Sequence, residues 1–129
     1  MNPQGTITRE SRYPVDETIE RIMVFLQQHG AKVYARINQQ SELARVGIVI
    51  RPLEFLLFGN PAAGGKIMAE NPLAALDLPL RIIAWEDGNG ETKVTYQDAD
   101  YIKERYDLRA ELLQPLNLAP MLAAALGPE

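Results

Sequence analysis

Residues 53–86 read LEFLLFGNPAAGGKIMAENPLAALDLPLRIIAWE, and this stretch contains two apolar runs separated by a segment rich in proline and glycine. Within residues 55–58 and 82–85, apolar side chains do not alternate with polar ones, as they do in a strand with one solvated face. Both runs have the length of a strand, and both end at residues that interrupt regular structure. We therefore predict two central strands that are covered on both faces.

The segment between the two runs predicts a helix that begins at Pro61, because proline suits the first turn of a helix. Asn60 is a good N-cap, since its side chain can accept a hydrogen bond from a free N–H of that turn. The glycine pair at 64–65 weakens this helix or delays its start. Asn71-Pro72 ends it, because the residue before a proline is pushed out of the helical region.

Periodicity and turn residues predict the other elements. We predict further strands over residues 5–11, 32–38, 78–86 and 91–97, and helices over residues 15–29, 39–46, 99–106 and 115–126. In the strand 32–38, Val33, Ala35 and Ile37 are expected to face the core. Lys32, Tyr34 and Arg36 are expected on the opposite side. Residues 87–90, DGNG, predict a hairpin turn. The fold class is therefore α+β: a two-layer sandwich with a mixed or mainly antiparallel sheet and helices chiefly on one face.

Length and charge limit the classes of function. One domain over residues 1–129 fits the length, and 47% hydrophobic with 23% charged residues is typical of a soluble globular protein. The net charge of −4 argues against nucleic acid or an anionic membrane as partner. We find neither a signal peptide nor an apolar run long enough to span a bilayer, so we expect a cytoplasmic protein.

Four features of the sequence occur together: Phe58-Gly59-Asn60-Pro61, Asp77-Leu78-Pro79-Leu80, Trp85-Glu86-Asp87 and Tyr96. In these the chain resembles the DUF302 family of small bacterial and archaeal proteins. The resemblance implies a two-layer α/β fold of the TT1751-like type, often found as a dimer, and it implies no activity. Many members have an Asp-His pair after the second strand, where this chain has Asn38-Gln39 and therefore neither an acid nor an imidazole.

The loop GNPAAGG, residues 59–65, is the candidate ligand site. Free N–H groups at a helix start, with glycines that allow close approach, form a concave positive site for an anion. The predicted ligand-binding residues are Asn60, Ala62, Ala63, Gly64, Gly65, Lys66 and Arg45. The loop lacks the Gly-Lys-Ser/Thr of a phosphate-binding P-loop, and a purely structural turn is the alternative interpretation.

Asp77, Glu86 and Tyr96 are further pocket candidates, although capping and core packing are the more common roles of such residues. His29 is the only histidine, and the chain has no cysteine, so no metal site is predicted. No nucleophile–base pair is recognisable, which argues against an enzyme acting through Arg45, Asn60, Glu86 and Tyr96.

The sequence therefore predicts a homodimeric binding module for a small anionic ligand, with an enzyme or a purely structural or interaction domain as alternatives. The dimer is predicted because both faces of the central strands are apolar and we expect the helices to cover only one of them. Tyr34, Arg36 and Trp85 are the candidates for the dimer face.

Overall fold

The computed structural model describes residues 3–129 of the chain. Its five strands are β1 (Thr6–Ser11), β2 (Lys32–Asn38), β3 (Leu53–Gly59), β4 (Leu80–Glu86) and β5 (Thr92–Gln97). Its helices are α1 (Val15–Gln28), α2 (Gln39–Ala44), α3 (Pro61–Glu70), α4 (Ala99–Tyr106) and α5 (Ala119–Leu126). Short 3₁₀ segments cover Pro72–Leu76, Ala110–Leu112 and Gln114–Leu116.

The five strands form one sheet in the order β1-β5-β4-β3-β2, and every neighbouring pair is antiparallel. Helix α1 packs across β2, β3 and β4, and α5 packs against α1 on the same side. The predicted α+β sandwich with helices chiefly on one face is therefore confirmed. The prediction that β3 and β4 are the central strands is confirmed as well.

The core lies between α1 and the sheet face that it covers. Side chains of every second strand residue point to this face, and those of Leu56, Ile82, Ala84 and Val94 are fully buried. They pack in one cluster with apolar residues of α1 and α5, such as Ile22. Burial of this cluster supplies the main driving force for folding, because apolar area is removed from water on both layers.

The predicted alternation of β2 is wrong, because a β-bulge lies between Val33 and Ala35. Arg36 is opposite Leu56, on the face that α1 covers, and its guanidinium binds Glu20 of that helix. Directly opposed residues share a face of an antiparallel pair. Ala35 and Ile37 lie opposite Leu57 and Phe55, so they point away from α1.

The sheet face away from α1 is called the outer face below. Its apolar side chains are Ala35, Ile37, Leu53, Phe55, Leu57, Ile83 and Trp85. Leu57, Ile83 and Trp85 are only half-buried, so β3 and β4 are not fully covered on both faces as predicted. Of the three residues predicted for a dimer face, only Trp85 lies here, and its indole Nε1 donates to Thr95 Oγ1 at 2.9 Å.

Two element boundaries differ from the prediction for local reasons. Strand β4 begins at Leu80 rather than at residue 78, because Pro79 has no N–H for the ladder. The last helix is shorter than predicted: a 3₁₀ turn, Gln114–Leu116, precedes α5. Residues 114–121, which include this 3₁₀ turn and the start of α5, close one side of the cavity described next.

Candidate functional site

An apolar groove of about 690 Å³ lies at the end of the sheet where β3 passes into α3. Its walls come from the C-terminal turn of α1, from β2, from the end of β3, from one side of α3, from the entry to β4 and from residues 114–121. The buried apolar residues among them are Leu26, Phe58, Ile67, Leu80, Leu116 and Leu118. The groove has the size and the mainly apolar lining of small-molecule sites in proteins.

Asn60 forms the N-cap of α3 and also lines the groove. Its Oδ1 accepts hydrogen bonds from the backbone N–H groups of Ala62 at 2.9 Å and Ala63 at 3.4 Å. The N–H of Gly64 donates to the carbonyl oxygen of Asn60 at 2.8 Å. The first N–H groups of α3 are therefore used inside the cap, and the predicted outward-pointing N–H cradle for an anion is wrong.

Polar groups are confined to the rim of the groove. The amide side chains of Asn60, Gln114 and Asn117 are exposed there. His29 lies on the same rim, its Nδ1 is 2.9 Å from the carbonyl oxygen of Phe25, and the two rings stack with centroids 4.0 Å apart. Because a carbonyl oxygen only accepts, Nδ1 carries the hydrogen in this contact, and Nε2 remains available to a ligand.

The predicted loop residues fall into two groups. Asn60, Ala63 and Gly64 line the groove. Ala62, Gly65 and Lys66 do not line it. The side chain of Lys66 is exposed on α3.

Arg45 lies at the opposite end of the sheet from the groove. Strand β2 runs from Lys32, opposite Gly59, to Asn38, opposite Glu54, and α2 follows directly. Gly59 and Glu54 are separated by roughly 17 Å along β3, at about 3.4 Å per residue. Arg45 is exposed and pairs with Glu42 at 3.7 Å, so the prediction that it reaches the loop is wrong.

Asp77 holds the segment before β4 against α4 and β5. Its carboxylate accepts hydrogen bonds from Gln97 Nε2 at 2.9 Å, from Arg105 Nη1 at 3.0 Å, and from the Tyr106 hydroxyl. Burial by itself would raise the pKa of Asp77, but these hydrogen bonds and the Arg105 charge lower it below its ordinary value. Burial and the contact with Asp77 raise the pKa of Tyr106. The carboxylate faces its own structural partners rather than the groove.

Glu86 lies at the far end of β4, six residues beyond the groove residue Leu80. It lines a second, polar cavity of about 670 Å³, called the acidic cleft below, together with the 5% exposed Glu54. One carboxylate oxygen of Glu54 accepts from Arg36 Nε at 3.0 Å. Glu86 and Asn60 therefore cannot act on one small substrate.

Tyr96 is buried in the core, where burial raises the pKa of its hydroxyl. It lies on β5 rather than in the groove or the acidic cleft. The four residues predicted for an enzyme, Arg45, Asn60, Glu86 and Tyr96, are thus distributed over separate parts of the molecule. That predicted constellation is wrong.

A profile of the family described as "Domain of unknown function DUF302" matches residues 7–126 of the chain. The chain belongs to the DUF302 family. Its structure is similar to the crystal structure of an uncharacterized conserved DUF302 protein from Bacillus stearothermophilus, with a TM-score of 0.78 over 96% of this chain and 97% of that one. The sequence identity of this pair is 24%, so the similarity shows the fold alone.

Two curated relatives of this DUF302 domain carry a functional name. The chain is 36% identical over 104 residues to "Fluoride-specific ion channel FluC 1" of Brucella suis biovar 1 (strain 1330), covering 81% of this chain and 41% of the relative. It is equally similar to FluC 1 of Brucella abortus biovar 1 (strain 9-941), of which it covers 38%. The chain thus spans about two fifths of the length of these relatives. Within residues 3–129, the DUF302 domain has no helix that is both long and apolar enough to cross a membrane.

Sequence reasoning missed most of the groove. Several lining residues come from separate places along the chain: Tyr34, Met68, the segment Gln114–Leu116 and Met121. Each has an ordinary local role as a strand, helix or turn residue, so no sequence signal joins them. In the part of the DUF302 domain that the structure describes, no three His, Cys, Asp or Glu side chains are arranged to hold a metal ion.

Proposed function

We propose that this DUF302 domain is a binding module whose groove takes a small, mainly apolar molecule. The observation that supports this proposal is the groove itself, a cavity of about 690 Å³ with a buried apolar floor and amide groups at its rim. Sites of roughly 300–1,000 Å³ with a few polar groups commonly hold small ligands. Apolar contact with the floor would supply affinity, and the rim amides would orient the ligand.

Two adjacent glycines of α3 allow a matched test. A side chain added at Gly64 enters the groove, and its Cβ would meet only the flexible end of Met68 at 3.8 Å. Gly65 does not line the groove, and an added Cβ there meets nothing within 4 Å. Both changes to leucine should favour helix α3 by about 1 kcal/mol, since leucine is a better helix former than glycine.

Ligands are found by screening a small-molecule library by thermal shift against the full chain, because a ligand that binds only the folded state raises the midpoint. Hits are then titrated against Gly64→Leu and Gly65→Leu. We expect Gly64→Leu to abolish the ligand-induced shift and Gly65→Leu to retain it. Equal ligand binding by both variants, or no hit with the unmodified chain, would contradict the groove as the binding site.

We further propose that the domain forms a homodimer through the outer face. In the part of the chain that the structure describes, α1 and α5 both pack on the opposite side of the sheet. Apart from the buried Phe55, the apolar outer-face side chains are left half-buried, and a second copy is the simplest cover for a contiguous apolar surface. This proposal predicts a dimer by light scattering at micromolar concentration.

The interface is tested with Ile83→Lys, at the centre of the outer face, and Val24→Lys, on the solvent side of α1, as its control. We expect the monomer mass for Ile83→Lys and the dimer mass for Val24→Lys, with both variants folded by circular dichroism. A monomeric unmodified chain, or a dimeric Ile83→Lys variant, would refute the proposed interface.

The curated relatives favour a second candidate function, an accessory role beside a fluoride channel. The support is the 36% identity to about two fifths of FluC 1 of Brucella suis. The test adds the purified chain to proteoliposomes that contain a FluC channel lacking the related segment. Fluoride efflux should change in amount or in concentration dependence, and identical efflux with and without the chain would contradict this role.

A further inference from the structure

We infer that the groove ligand is a small carboxylate with an apolar chain or ring, and that its charged group lies beside Lys32. This inference rests on the proposed function, because it assumes that the groove binds a ligand. It differs from the sequence-based anion cradle in both the cation and the contact surface. The charge comes from a lysine of β2 rather than from N–H groups of α3, and the apolar floor holds most of the ligand.

The distribution of charge makes the groove suitable for an anion. The sequence has 17 acidic residues and a net charge of −4, yet no Asp or Glu among residues 3–129 lines the groove. The acidic cleft, at the opposite end of the sheet, contains Glu10, Asp16, Glu54, Glu86 and Glu91. A carboxylate would be repelled from that cleft, whereas the groove adds no such local repulsion.

Lys32 is not itself a lining residue, but its ammonium group lies next to two residues that line the groove. Its backbone lies opposite Gly59, a lining residue, and its Nζ is 4.9 Å from the ring centroid of Tyr34, which also lines the groove. Lys93 in contrast has Glu10, Asp87 and Glu91 as partners. Lys32 forms no ion pair with any carboxylate that the structure describes. The ammonium is therefore available to a ligand.

One other feature favours a negative group at this rim. The N-terminus of α3 faces the groove, and its dipole favours negative charge, although its capped N–H groups offer no direct contact. With the N–H groups occupied, Lys32 is the group that can pair with a carboxylate.

The apolar floor of the groove favours an amphipathic anion over an inorganic one. Phe58, Ile67 and Leu80 are buried beneath the groove and offer only apolar contact. Phosphate or sulfate would lose water against this floor without gaining hydrogen bonds, which is costly. A carboxylate attached to an apolar chain satisfies both parts of the site, because the chain covers the floor and the charged end stays at the rim.

Three probes with the same eight-carbon chain separate the two parts of the site: octanoate, 1-octanol and octylamine. Each is titrated into the full ¹⁵N-labelled chain near pH 7, and amide shifts give the dissociation constant and the location of binding. We expect octanoate to bind about fivefold more tightly than 1-octanol, a ratio in the range of a partly exposed ion pair. Octylamine should bind most weakly.

The matched variants are Lys32→Gln, which removes the ammonium 4.9 Å from the ring centroid of the lining residue Tyr34, and Lys66→Gln, at an exposed lysine of α3. Neither lysine itself lines the groove. Lys32→Gln should make octanoate and 1-octanol bind equally, and Lys66→Gln should leave the fivefold preference unchanged. Equal binding of all three probes to the unmodified chain would overturn the carboxylate inference and leave the groove proposal standing. Tightest binding of octylamine would overturn it too. If none of the probes shifted the groove amides, both the carboxylate inference and the proposal that the groove binds an alkyl chain would be wrong.

Discussion

Replacing Asp77 tests whether its carboxylate holds the entry to β4 in place. In the structure it accepts three hydrogen bonds, and its side chain is 11% exposed. Asp77→Ala would leave the part-buried Tyr106 hydroxyl without its acceptor, at about 1–2 kcal/mol, and would also remove the Gln97 bond at roughly 1 kcal/mol. The Arg105 pair adds at most about 1 kcal/mol, because that guanidinium is 46% exposed.

We therefore expect Asp77→Ala to lower the free energy of unfolding by about 3 kcal/mol, measured by urea denaturation at pH 7. For a domain of this size, that corresponds to a fall in Tm of roughly 10 °C. Glu104→Ala is the control, since Glu104 is an exposed acid of α4. It should change stability by less than about 0.5 kcal/mol, as most surface substitutions do.

The effect should depend on pH in a defined direction. The pKa of Asp77 is lowered in the folded state, so its contribution is present above the unfolded value of 3.8 and is lost as pH falls through the folded value. The difference between the unmodified chain and Asp77→Ala should therefore shrink below pH 3.8. A cost under about 0.5 kcal/mol at pH 7, or an equal cost at pH 7 and about pH 2.5, would refute the reasoning.

Three further substitutions test the core, the ion pair of Glu54 and the cap. Leu56→Ala, at a fully buried position, should cost about 2–5 kcal/mol in urea denaturation. Leu57→Ala, on the half-buried outer face, should cost less, and the reverse order would contradict the assignment of faces. Arg36→Met leaves the 5% exposed Glu54 without its cation. It should cost about 1–3 kcal/mol at pH 7, less than a fully buried pair, because the Arg36 side chain is 29% exposed; if Tm is unchanged, the ion pair is not structural. Asn60→Ala should cost about 1 kcal/mol through loss of the α3 cap, and Asn60→Ser should recover most of it if capping is the reason.

The sequence was sufficient for local structure wherever a residue acts through its own backbone. Asn60 and Pro61 start α3 as predicted, because side-chain capping and a fixed proline φ need no tertiary partner. The apolar runs of β3 and β4 identified two interior strands of the sheet, and the side chains that these strands place beneath α1 are buried.

The bulge in β2 shows where periodicity stops being informative. The alternation of residues 32–38 is regular in sequence, but one inserted residue reverses the faces of the residues that follow. Tertiary pairing of Arg36 with Glu20 and Glu54 accompanies that reversal. Nothing local distinguishes a bulged strand from a regular one with the same pattern.

Some residues of the groove follow from local sequence, and others are brought there by tertiary packing. The sequence alone determined that residues around Asn60 form a strand-to-helix loop, and three of the predicted residues line the groove. Arg45, Glu86 and Tyr96 lie outside the groove. Their positions depend on tertiary strand pairing, because the antiparallel strand order sets which strand ends meet. Only the tertiary structure decided that residues 114–121 close an apolar groove over that loop, because contacts between distant segments depend on packing that short-range patterns do not encode.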